Sequence, residues 1–250
     1  MPWWVGTVVA ATIGCGVAAA FVPAVAYRLA VPYGQPARQG CAECGAPLTP
    51  GVRGWVTTRY RCGHRPGVSR WLTASIAGSA GGLLGAALGA VPVLPLFLAL
   101  AVLGVLLGVV DVACRRLPDQ LVLPALAVTP VLLGAVALRS GAWDDWWRGL
   151  LACLVVGLVL TGMVLLPGGG LGFGDAKVGA LLGWYLGWLG WEAVVLGAVL
   201  PWLVNAPVLL VLLATRRVGW RTALPFGPSL LAGALLAVPV VTWWPTVTAT

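Results

Sequence analysis

The sequence predicts an all-α integral membrane protein: a polytopic bundle of about eight transmembrane helices with a small cytoplasmic zinc-ribbon-like loop. Three observations predict it. The 250-residue chain is 60% hydrophobic and only 9% charged, against roughly 25% charged in soluble proteins. Its charges fall in short gaps between long apolar runs. Three of its cysteines, with its single histidine, sit in one polar segment. A soluble surface of this size needs more polar side chains than the chain has, and a bilayer removes that need. The net charge of +8 raises nucleic acid as a partner. The Arg residues punctuate apolar runs instead, so a lipid bilayer is expected and no nucleic acid.

The elements follow from the punctuation. Residues 3–26 are apolar with no Lys or Arg before them, so 3–27 reads as a retained first transmembrane helix rather than a signal peptide. The polar segment 28–70 is the cysteine-containing cytoplasmic domain, and 71–250 is the main transmembrane domain. Trp71–Val110 is an uncharged run of 40 residues. At about 1.5 Å per residue it makes two crossings of a ~30 Å core, with Pro92 and Pro95 at the turn. The full set of expected helices is 3–27, 71–90, 93–113, 121–138, 148–166, 176–190, 193–215 and 227–244.

Strict alternation then puts 28–70, 114–120, 167–175 and 216–225 on one side. These loops and their edges hold thirteen of the fifteen Lys and Arg. Only Arg139 and Arg148 fall on the other side. The positive-inside rule makes the Arg-rich side cytoplasmic. Trp3, Trp4, Trp143, Trp146, Trp147, Trp191, Trp243 and Trp244 form the expected outer aromatic belt.

Only seven residues are acidic. Solvated surface charge suffices for Glu43, Asp144, Asp145 and Glu192. Asp111, Asp119 and Asp175 differ, because they fall at cytoplasmic ends of apolar helices, where a carboxylate suggests function. Alternation puts Asp111 and Asp175 on one face at similar depth. Two carboxylates brought close cannot both ionise cheaply, so they share a proton. One then takes a proton from water while the other donates to a scissile carbonyl, which is aspartyl proteolysis. Asp175 ends the stretch Pro167–Gly174, whose glycines permit close backbone approach. Asp175 as only the N-cap of a helix is the plainer alternative.

The order of motifs resembles a known family. Gly172-Phe173-Gly174-Asp175-Ala176-Lys177 resembles the GxGD-x-K signature of the type IV prepilin peptidases. The stretch from Val178 to Trp188 also looks like that family's. Asp111 to Leu121 is similar to its first motif, in which the catalytic Asp precedes a Pro by seven residues. The resemblance therefore selects Asp111, with Asp119 second. Pro225–Leu230 resembles a further segment, and Tyr27-Arg28-Leu29 the YRL at the end of helix one, with Pro23 where Asn is usual.

The resemblance implies a prepilin leader peptidase in the bacterial cytoplasmic membrane, with its active site facing the cytoplasm. It would cleave the basic leader of a prepilin or pseudopilin and N-methylate the new terminus from S-adenosylmethionine. Asp111 and Asp175 would be catalytic, with Gly172, Gly174 and Lys177 binding substrate. Residues 71–250 would be the peptidase domain.

Cys41-Ala42-Glu43-Cys44 has the spacing that lets two thiolates share one metal. The family often adds a second CxxC; here Cys62-Gly63-His64 takes its place. Cys41, Cys44, Cys62 and His64 would complete a tetrahedral structural zinc site. Reduced thiols beside a solvated His64 are the alternative. Cys15, Cys114 and Cys153 read as packing residues. The rival function is a membrane transporter with Asp residues as a proton relay. It predicts acids near the bilayer centre on several helices, and the key acids here fall at helix ends.

Overall fold

The computed structural model describes residues 3–32, 34–57, 60–65, 67–166, 171–215 and 226–244, without the side chains of 3, 208–209 and 212–214. Pro167–Gly170 and Pro225, with Arg59, Arg216, Arg217 and Arg221 of the thirteen cations counted above, lie outside them. The described residues are helical wherever they are regular, and the chain divides into two compact units, 1–118 and 119–250.

In the first unit, α1 (Trp3–Ala19) runs into α2 (Val22–Leu29) across a 41° bend. Pro23 sits in the first turn of α2, where its missing N–H costs no helical bond. The short α3 is Gly51–Val56, α4 is Arg70–Leu88 and α5 is Leu94–Cys114. Ser69 caps α4 by accepting the Trp71 N–H. Buried Thr73 of α4 donates its hydroxyl to Ala19 O at 2.8 Å, satisfying the open carbonyl end of α1.

In the second unit, α6 (Asp119–Ser140), α7 (Trp143–Leu165), α9 (Trp191–Ala214) and α10 (Gly227–Trp243) pack around α8 (Phe173–Leu189). Every residue of α8 from Val178 to Trp188 is buried. Gly179, Gly183 and Gly187 recur every fourth position and line one face of it. A Cβ on Gly183 would stand 2.8 Å from Ala152 O, and one on Gly187 would stand 2.6 Å from Ala152 Cβ. Only glycine lets α7 approach so closely. Arg148 of α7 closes the far end of α8 by donating to Gly187 O at 2.7 Å and Trp188 O at 3.0 Å, with Asp145 on its guanidinium at 2.6 Å.

Two expectations about the fold are corrected. The eight-span bundle becomes four membrane-length apolar helices among the described residues, α4, α5, α6 and α7, or five if α1 and α2 are one bent span. A helix apolar all round is either a membrane span or a protein-buried core helix, and hydropathy alone does not separate them. Seventeen-residue α8 is buried nearly throughout, and at ~1.5 Å per residue falls short of a ~30 Å core. Seventeen-residue α10 is likewise too short. The strict alternation that placed Asp111 and Asp175 on one face loses its basis with that count. The zinc-ribbon-like loop also has no sheet: its only pairing among the described residues is one antiparallel bridge, Gly40–Pro47. The segment is too short in extended backbone for ladders, and tight turns shape it instead.

Candidate functional site

The polar segment folds into a knuckle. Gly45 N–H donates to Cys41 O at 2.9 Å and Cys41 N–H to Ala46 O at 2.8 Å, which folds Cys41–Cys44 back on itself. Gly45 has φ +71° and Gly63 φ +82°, left-handed values that favour glycine directly after Cys44 and Cys62. The second turn closes with Gly63 N–H on Tyr60 O at 3.0 Å.

These turns bring Cys41, Cys44, Cys62 and His64 together, with one ligand atom from each within 4.8 Å of all the others. Tetrahedral thiolates about 2.3 Å from a zinc stand roughly 3.8 Å apart, so the spread suits one ion after small contraction. His64 Nδ1 lies 3.6 Å from Cys41 Sγ, and His64 Nε2 lies 3.1 Å from Glu43 Oε2. In the neutral ring an Nε2–H donated to Glu43 leaves the Nδ1 lone pair for a metal. The backbone N–H groups of Cys44 and then Glu43 hold the Cys41 thiol down at about 6. The Ala46 N–H draws Cys44 down too, but burial and the neighbouring thiols outweigh it and raise its pKa. The donor set, spacing and histidine partner fit a metal ion.

The expectations did not anticipate the role of Glu43, which its position between the two cysteines could have signalled. Nor did they give Tyr27 and Arg28 a task. Arg28 is buried, donates to Gly54 O at 3.3 Å and Thr49 O at 2.7 Å, and lies 5.2 Å from the Trp55 ring centroid. It thereby docks α3 on α2 without a carboxylate partner among the described ion pairs.

The carboxylates sit at helix ends. Asp111 lies in the last turn of α5 and is 4% exposed. Arg115, next after that helix, takes a left-handed φ of 52° and donates its N–H to Asp111 O at 2.7 Å, stopping the helix there. In the second unit, Asp175 occupies the first turn of α8 and is partly exposed. It is not the N-cap, which is Gly172; Asp175 reaches back and accepts the Gly172 N–H at 3.0 Å. That contact uses one carboxylate oxygen. Lys177, expected to meet substrate, donates to Asp119 Oδ1 at 2.6 Å, tying the start of α6 to the start of α8. Gly172 and Gly174 flank Phe173 at the helix start.

The helices and the knuckle define a multi-pass, all-α membrane protein with a Cys₃His ligand cluster in a polar segment. Against known proteins, the chain is similar to the prepilin leader peptidase/N-methyltransferase of Bacillus subtilis (strain 168), 27% identical over 211 residues, 80% of each chain. That likeness supports a distant family relationship. No family model and no solved structure matches.

Proposed function

We propose that the protein is a prepilin leader peptidase of the aspartyl type, cleaving the basic leader of a prepilin or pseudopilin at the cytoplasmic face of the bacterial inner membrane. The observation that carries this reading is the 27% identity running over four fifths of both chains. The ordered motifs support it: Asp111 lies in the last turn of a membrane-length helix, and Asp175 in the first turn of another, behind the Gly172 N-cap.

In this reading Asp111 and Asp175 share one proton. The ionised carboxylate takes a proton from the attacking water, and the protonated one donates to the scissile carbonyl oxygen. Gly172 and Gly174 let the substrate backbone approach, and Lys177, through Asp119, holds the start of α8 in place. The substrate's apolar helix stays in lipid while its leader is cut.

Zinc is the metal proposed for the knuckle, since three thiolates and one imidazole suit it. There it would be structural, holding the segment folded, with Cys41, Cys44, Cys62 and His64 as its ligands. N-methylation of the new terminus from S-adenosylmethionine extends the reading on the likeness alone, with no residue assigned to it.

The test is co-expression with a substrate bearing a short basic leader, a Gly and an apolar helix. Asp111→Asn and Asp175→Asn should each lower leader removal by about 10²- to 10⁴-fold, the usual range for loss of an acid–base group, while membrane insertion is retained. Leader removal that survives either change at the unaltered rate overturns the assignment.

A further inference from the structure

Tyr27 is the last aromatic residue of α2, and its side chain touches both halves of the knuckle. Its hydroxyl donates to Cys41 Sγ at 3.9 Å and accepts the Ala42 N–H at 2.8 Å. Its ring lies 5.2 Å, centroid to centroid, from that of Tyr60. Tyr60 belongs to the other half: its N–H donates to His64 O at 3.4 Å and its carbonyl accepts the Gly63 N–H. The Arg38 guanidinium lies 4.5 Å from the Tyr27 ring centroid and donates to Ala30 O at 3.0 Å. One phenol therefore meets a ligand residue, the turn after it, the turn bearing the other two ligands, and a cation that fixes its own position.

We propose that Tyr27 is the positioning residue of the metal centre: its hydroxyl steadies the Cys41 thiolate from behind, and its ring fastens the two halves of the knuckle to α2. The inference rests on the metal reading of the four ligands. Metal binding leaves Cys41 a thiolate, and an O–H donor to an anionic acceptor binds closer and more strongly than to a neutral one. The long contact to the thiol thus tightens on loading. Loss of a partner of this kind, which holds a ligand rather than the ion, typically costs about 10- to 100-fold in metal affinity.

The consequence runs into the membrane part of the same unit. Beyond α2, Val31 O and Pro32 O accept from Arg116 Nη1 at 3.1 and 2.7 Å, and Arg116 follows the helix that ends with Asp111 and Cys114. Tyr27 is therefore the step by which a loaded knuckle holds the segment against which the Asp111 end of α5 is braced.

The experiment uses the detergent-solubilised full chain and zinc alone, titrated against a chromophoric chelator, with cobalt as the spectroscopic substitute. The native protein should hold one zinc. Tyr27→Phe, which loses only the hydroxyl, should bind zinc about 10- to 100-fold more weakly, shift the thiolate-to-cobalt band, and expose Cys41 to faster alkylation in the zinc-loaded state. Tyr60→Phe keeps its ring and loses a buried hydroxyl that has no hydrogen-bond partner among the described residues; it should leave affinity and the cobalt band unchanged. A native protein that holds zinc alongside a Tyr27→Phe variant of equal affinity and equal band overturns the role of Tyr27 and leaves the metal reading standing. An equal loss in Tyr60→Phe overturns it too. A native protein that holds no zinc overturns the metal reading, and the inference with it.

Discussion

The knuckle and the start of α8 are both shaped by local backbone contacts, but they differ in how much of a site each assembles. Gly45 and Gly63 bring four ligand side chains to one point within residues 41–64. The cap of α8 fixes a single carboxylate, Asp175, on Gly172 N–H, and leaves its proposed partner to a different helix. A cluster built from near neighbours is complete once its local backbone is right. A proton-sharing pair drawn from two helices is complete only once tertiary structure is. Loss of the Asp175 carboxylate should therefore leave the knuckle whole.

The largest expected effect tests that separation. Asp175→Asn should remove leader cleavage by about 10²-fold or more and leave the zinc content of the purified chain untouched. Cys41→Ser should remove zinc, read by elemental analysis, because one of only four ligands is gone. Zinc lost with Asp175→Asn would join the two regions into one device.

Next in size is Gly183→Val. The added side chain meets Ala152 O and Cys153 Cα, both backbone atoms, at 2.8 and 2.9 Å from its Cβ. Overpacking of this kind costs about 1–3 kcal/mol, to be read as a lowered Tm in detergent, with zinc affinity unchanged.

The smallest effect belongs to Asp119→Asn. The Asp119 and Lys177 side chains are 43% and 34% exposed, so solvent screens the pair and its loss should cost no more than about 1 kcal/mol. Leader cleavage should fall far less than in Asp111→Asn. Cleavage lost in Asp119→Asn but kept in Asp111→Asn would make Asp119, not Asp111, the partner of Asp175.

Much of this was legible in the sequence, for reasons that differ by residue. Cys41-x-x-Cys44 and Cys62-x-His64 were readable because ligand type and short spacing nearly determine a local cluster. Asp111 and Asp175 at helix ends were readable because a carboxylate beside a long apolar run has few tolerable places. Three things were hidden. The number of spans was hidden because the apolar run of α8 reads the same whether lipid or protein surrounds it. The Lys177–Asp119 pair joins residues 58 apart in the chain, and nothing local announces it. The ties of Tyr27 to Cys41 and Tyr60 depend on how α2 leaves its bend. The sequence pattern marked Tyr27 as part of a motif without saying what it touches.

The burial of α8 has a further consequence. Transmembrane helices that face lipid tilt or shift when the bilayer thickens or thins, because their apolar length must match it. From Val178 to Trp188 this helix presents no such face; its neighbours in the second unit clasp it, α7 most closely at Gly183 and Gly187. The height of Asp175 is then set by protein contacts rather than by acyl-chain length. Reconstituted in vesicles of short-, medium- and long-chain lipid, the protein should cleave an α-helical substrate at rates that follow the substrate's own fit to the bilayer, with Asp175 itself holding station.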